Sequence, residues 1–97
     1  MIPSPAPPSV LGDARVAPLR ALVRETDAQT LAEQLELVAI PAPPFGEEAR
    51  GERVLERFLE LGLADVGRDE EGNVLGSIRG AEAGATPLVV AADLDTV

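Results

Sequence analysis

The stretch that most constrains the fold is residues 87–97, Pro87-Leu88-Val89-Val90-Ala91-Ala92-Asp93-Leu94-Asp95-Thr96-Val97. Gly84 and Pro87 bound an uncharged run that reads as a strand covered on both faces. Such a strand belongs to the interior of a sheet, so the rest of the chain has to supply covering layers. The run closes on two acids. Residues two apart in an extended chain project to one face, so Asp93 and Asp95 are expected side by side at the strand's carboxyl end. Open α/β sheets hold their ligands there.

The preceding segments fit that demand. Residues 1–12 contain Pro3, Pro5, Pro7 and Pro8 and read as a solvated, disordered proline-rich tail, because proline lacks a backbone donor and fixes φ. Residues 13–97 read as the folded part. A short helix is expected over 13–24, with Asp13 as cap and Pro18 in its first turn. A second is expected over 26–40: Thr26 or Asp27 can cap it, and Leu31, Leu35 and Val38 share a face. It stops where Ile40 precedes Pro41-Ala42-Pro43-Pro44, since a residue before proline is pushed out of the α region.

A third helix is expected over 47–61. Glu47 and Glu48 suit its positive end, Val54, Phe58 and Leu61 form its apolar stripe, and Gly62 stops it. Glu52, Glu56 and Glu60 lie four apart along it. With Arg53 and Arg57 interleaved, they read as a solvated face rather than a cation ridge. Two strands, 63–68 and 74–79, flank Asp69-Glu70-Glu71-Gly72-Asn73 and predict an antiparallel hairpin. Residues 80–86 form a small-residue loop into the terminal strand. Helices followed by strands make an α/β opening rather than a closed domain.

Charge and residue types narrow the function. Seventeen acids oppose 8 basic residues, for a net charge of -9. That field disfavours nucleic acid and anionic membrane surfaces as partners. There is no cysteine and no histidine, which removes disulfides, thiolate nucleophiles and the commonest zinc ligand and general base. The start of the chain has neither the basic nor the apolar region of a secretory signal, and no apolar run reaches transmembrane length, so the cytoplasm is the expected location.

An ordered set of short motifs resembles the two-zinc exopeptidases and amidohydrolases, the group of aminoacylase, acetylornithine deacetylase, succinyl-diaminopimelate desuccinylase and tripeptide aminopeptidase. The set is Leu35-Glu36-Leu37-Val38-Ala39-Ile40-Pro41-Ala42-Pro43, Gly46-Glu47-Glu48, Leu61-Gly62-Leu63, Gly72-Asn73-Val74 and Asp93-Leu94-Asp95-Thr96-Val97. It covers residues 31–97, and its strength lies in the order of the pieces. The resemblance implies the N-terminal portion of a zinc-exopeptidase catalytic domain, incomplete in this chain. It further implies Zn²⁺ as cofactor, and as substrate a small peptide or N-acyl amino acid whose amide bond is hydrolysed. By this likeness Asp93 occupies the metal-ligand position, where the family has histidine, and Asp95 occupies the orienting position that serves catalysis. Two neighbouring carboxylates repel unless a cation lies between them or one takes a proton. The family's remaining ligands and its acid/base lie beyond the motif set present here, so the chain alone is expected not to catalyse.

Two other readings use the same residues. Asp-x-Asp at a strand end resembles the first motif of haloacid-dehalogenase-type phosphotransferases, with Asp93 as nucleophile and Mg²⁺ on the carboxylates. That motif opens its domain, however, whereas here a long ordered series precedes it. The third reading is a non-catalytic acidic fragment or interaction module, self-associating through the exposed apolar edge of the terminal strand.

Overall fold

Three helices followed by a two-stranded antiparallel sheet make up the architecture of the computed structural model, a small mixed α/β arrangement described over residues 9–97. Most of the proline-rich tail lies outside the described residues. The chain divides into two compact units, Met1–Glu33 and Gln34–Val97. Among the described residues no helix is long and apolar enough to cross a membrane.

In the first unit a 3-10 turn, Val10–Gly12, leads into α1, Val16–Glu25. Asp13 stands outside α1 and binds Arg15 rather than capping the helix alone. Its Oδ1 accepts from the Arg15 backbone N–H at 2.8 Å, and its Oδ2 accepts from the guanidinium at 2.7 Å. Those contacts hold its carboxyl below the usual aspartate range. Pro18 falls in the first turn of α1, where its missing donor costs nothing. Thr26 joins α1 to the next helix: its hydroxyl donates to the Leu22 carbonyl at 2.8 Å, and its own carbonyl accepts from the Thr30 N–H at 2.9 Å, as expected of a residue at the start of that helix. The second helix, α2, spans Asp27–Ala39.

The second unit begins within α2. The chain leaves that helix at Ile40-Pro41, turns through Pro43-Pro44-Phe45-Gly46 and starts α3, Glu48–Glu60. α3 ends in a glycine motif with both of its reverse hydrogen bonds. The Gly62 N–H reaches the Leu59 carbonyl, the Leu63 N–H reaches the Phe58 carbonyl at 3.1 Å, and Gly62 takes φ 75°. β1, Ala64–Arg68, and β2, Val74–Ser77, then pair antiparallel, with Ala64 opposite Ser77 and Arg68 opposite Val74. One bulge interrupts the ladder between Ala64 and Gly67, where Asp65 adopts φ 51°. The hairpin packs on α3. Gly76 on β2 lies against Phe58 and Leu63, so close that a Cβ there would stand 3.0 Å from a carbon of each.

The terminal strand expected over residues 87–97 is not formed. These residues carry no regular structure, and Leu88, Val89 and Val90 are 91%, 80% and 88% exposed. The reason is physical. A strand exists through backbone pairing with a neighbour, and among the described residues β2 pairs with β1 alone. β-propensity in 88–90 supplies side chains that suit a sheet face, but no adjacent ladder is there to receive them.

Candidate functional site

The place where distant parts of the second unit converge is not a pair of acids but Arg50. It lies in the first half of α3 with only 5% of its surface exposed, beside Ala42 at 2%. Its guanidinium reaches four oxygens. Nε donates to the Ile40 carbonyl at 3.1 Å, and one terminal nitrogen donates to the same carbonyl at 2.6 Å. That nitrogen also meets the Val38 carbonyl at 3.4 Å and the Thr96 hydroxyl at 3.1 Å. The other terminal nitrogen donates to the Leu94 carbonyl at 2.7 Å. A second tie runs alongside, from the Thr96 N–H to the Ala42 carbonyl at 2.8 Å.

This geometry follows from the local sequence. The last carbonyls of α2 lack intrahelical donors, and the prolines at 41, 43 and 44 cannot supply N–H groups to them. An arginine arriving from the next helix supplies them instead, and it is also a cation at the negative end of the α2 dipole. Gly51 lies where the C-terminal segment approaches α3. A Cβ on it would meet an Arg68 nitrogen at 3.2 Å, Leu94 Cδ1 at 3.5 Å and Val74 Cγ2 at 3.6 Å. Arg68 in turn donates to the Glu48 carbonyl at 2.9 Å, tying β1 to the first turn of α3.

The acids singled out in the sequence sit on the segment that Arg50 holds. Asp95 lies between Leu94 and Thr96, the two residues whose oxygens accept from Arg50, and is half-buried, whereas Asp93 is exposed. Because no strand forms, the alternation that would put both carboxylates on one sheet face does not apply. Both guanidinium acceptors on this segment are neutral oxygens, so Arg50 makes its tie here without drawing on either acid. Among the described residues no three Asp or Glu side chains gather as a metal-binding group, and the chain has no His or Cys. Asp93 and Asp95 together offer two carboxylates. That is fewer donors than a zinc centre takes.

The acidic row on α3 behaves as a solvated face. Arg53 bridges to Glu36 at 2.7 Å and to Glu60 at 3.2 Å, which raises its pKa, and Arg57 reaches Glu60 at 3.4 Å. Two features of the loop before α3 escaped the sequence reading. Phe45 takes φ 65°, a left-handed conformation uncommon for a bulky residue, and its side chain is fully exposed. The Glu47 carboxylate helps hold that turn by accepting from the Phe45 N–H at 3.0 Å. Arg50 itself left a readable trace. It stands one helical turn before Val54 and two before Phe58, on the apolar stripe, where a cation has to be satisfied internally. Comparison of the chain with protein-family models, with curated proteins and with solved structures finds no match.

Proposed function

We propose that this chain is the N-terminal portion of a two-zinc exopeptidase or amidohydrolase catalytic domain, in which Asp93 stands at a metal-ligand position and Asp95 at the orienting position. The reaction is hydrolysis of the amide bond of a small peptide or N-acyl amino acid. One observation supports the reading: two pieces of the motif series that lie far apart in the chain meet at Arg50. The Ile40-Pro41-Ala42 loop and the Asp93-to-Thr96 segment are both bonded to α3, the helix that follows Gly46-Glu47-Glu48, or to each other.

The metal pair of that family supplies an activated water and a polarised carbonyl. The residues here contribute placement of one carboxylate ligand and its neighbour, and the other ligands come from outside these 97 residues. The test is calorimetric titration of Zn²⁺ into the chain and into Asp93→His. Imidazole replaces a carboxylate that its neighbour repels, so the substitution is expected to tighten Zn²⁺ binding about tenfold, roughly 1.4 kcal/mol. Unchanged or weaker binding would overturn the placement of the ligand. Zinc-dependent amide hydrolysis by the parent chain would overturn the claim that it holds only part of the centre.

A further inference from the structure

We infer that Arg50 is a positioning residue, whose guanidinium fixes the Asp93-to-Thr96 segment against the exit of α2 and so sets where the two carboxylates stand. The inference rests on the metal-site reading of Asp93 and Asp95 only for its functional consequence. The positioning itself stands on the hydrogen bonds.

A guanidinium is a planar fork of five N–H donors with no acceptor, and it stays charged. Burying it is costly unless each edge is satisfied, and no buried side-chain polar atom among the described residues lacks a partner. Its acceptors fall on two sides. The Val38 and Ile40 carbonyls belong to the end of α2, while the Leu94 carbonyl and the Thr96 hydroxyl lie 44 and 46 residues along the chain from Arg50. A residue that merely capped α2 would need only the first side. One that merely tethered the C-terminal segment would need only the second. Arg50 spans both, and the bond from Thr96 N–H to Ala42 carbonyl closes the same bridge through the backbone.

The fork also explains why a recognition role for Arg50 is excluded. An arginine that grips a substrate carboxylate presents a free edge toward solvent, whereas this one is 5% exposed and engages all three nitrogens in the fold. Its partners on the segment are neutral, which leaves the charges of Asp93 and Asp95 available to a cation. Lysine cannot substitute, because a single ammonium does not reach acceptors on opposite edges of a planar fork.

The test is residue-resolved amide hydrogen exchange on the 97-residue chain and on Arg50→Lys and Thr96→Val, with Zn²⁺ calorimetry in parallel. In the parent chain the Thr96 amide is expected to be protected by its bond to Ala42. Arg50→Lys is expected to lower that protection by about tenfold or more, while the Leu61 amide at the end of α3 keeps its own. Thr96→Val removes one acceptor and leaves the arginine in place, so the residue-96 amide should lose protection to a smaller degree with helix content unchanged. If Arg50→Lys also melts α3, Thr96→Val decides alone. A Thr96 amide that exchanges freely in the parent chain, or one equally protected in every variant, overturns the inference. Metal affinity separates the two ideas. A fall of about tenfold in Zn²⁺ affinity alongside lost protection supports positioning of a ligand. Lost protection with Zn²⁺ affinity unchanged supports Arg50 as the positioning residue and overturns the zinc reading of Asp93.

Discussion

The contact between α3 and the C-terminal segment can be probed at Gly51 with two substitutions whose effects should have opposite sign. Gly51→Ala adds a Cβ that stands 3.5 Å from Leu94 Cδ1 and 3.6 Å from Val74 Cγ2, both ordinary van der Waals separations. The closest neighbour, an Arg68 nitrogen at 3.2 Å, is the far end of a flexible side chain and can yield by a few tenths of an ångström. Replacing glycine in a helix interior gains about 1 kcal/mol. Loosening the exposed bond from Arg68 to the Glu48 carbonyl costs about 0.5 kcal/mol. Alanine should therefore stabilise the second unit by about 0.5 kcal/mol. Gly51→Val places further methyl groups where Leu94 and Val74 already stand. Overpacking of that kind costs about 1–3 kcal/mol, and a β-branched residue loses about 0.5 kcal/mol of helix propensity. The two variants should differ by about 2 kcal/mol, which at a small protein's urea dependence of about 1 kcal/mol per molar moves the midpoint by about 2 M. Urea unfolding followed by far-ultraviolet circular dichroism reads the difference, and the Leu94 methyl shifts report whether valine has pushed the segment away. If valine proves as stable as alanine with the Leu94 shifts unmoved, nothing packs on that face of α3 and the reasoning fails.

Two further outcomes follow from the hairpin. Gly76→Val would drive a Cβ to 3.0 Å from both Phe58 and Leu63. It should destabilise the packing of α3 on the hairpin by about 1–3 kcal/mol, despite the better strand propensity of valine; a urea midpoint equal to the parent's would refute it. The Asp69 carboxyl is held below its ordinary value of 3.8, first by the Asn73 side chain and then by the backbone N–H of Asn73, with smaller help from Glu71 and Gly72. A depressed folded-state value means the contribution is complete above 3.8 and is lost as pH falls through the lower folded value. The Asn73 amide resonance should therefore hold steady near neutrality and move toward its random-coil position only in strong acid. In Asp69→Ala it should already sit there at neutral pH, and a parent amide unmoved in acid would count against the turn as described.

What the sequence disclosed and what it hid divide along the range of the interactions involved. α2, α3 and the hairpin were legible because their signals are local. The Ile40-Pro41 stop, the Glu47-Glu48 start, the Leu61-Gly62 stop and the Gly72-Asn73 turn each act within a few residues of themselves, and the observed bounds fall within a few residues of those expected. Thr26 serves both flanking helices, bonding backward to Leu22 through its hydroxyl and forward to Thr30 through its carbonyl. The 87–97 strand fails to form for a different reason. Val89 and Val90 fit a sheet face, but pairing is a property of two segments, and no local pattern announces whether the second is present. The role of Arg50 is masked in the sequence because arginines amid glutamates on a helix usually face solvent. Its place on the stripe of Val54 and Phe58 was the sign that this one does not.

The bulged hairpin bears on the order in which the chain can assemble. Closing a loop costs about (3/2)RT ln n, so joining Arg50 to Leu94 across 44 disordered residues costs about 3.3 kcal/mol in chain entropy. Once α3 and the hairpin have formed, only the stretch after Ser77 remains slack, about 17 residues, and the cost falls to about 2.5 kcal/mol. The difference of about 0.8 kcal/mol favours docking of the acidic segment after the hairpin by roughly fourfold. On this loop-entropy ground Asp93 and Asp95 are expected to dock last, onto a surface whose helix and turn are already in place. Any variant that slows closure of the Asp69-to-Asn73 turn delays them without touching either acid.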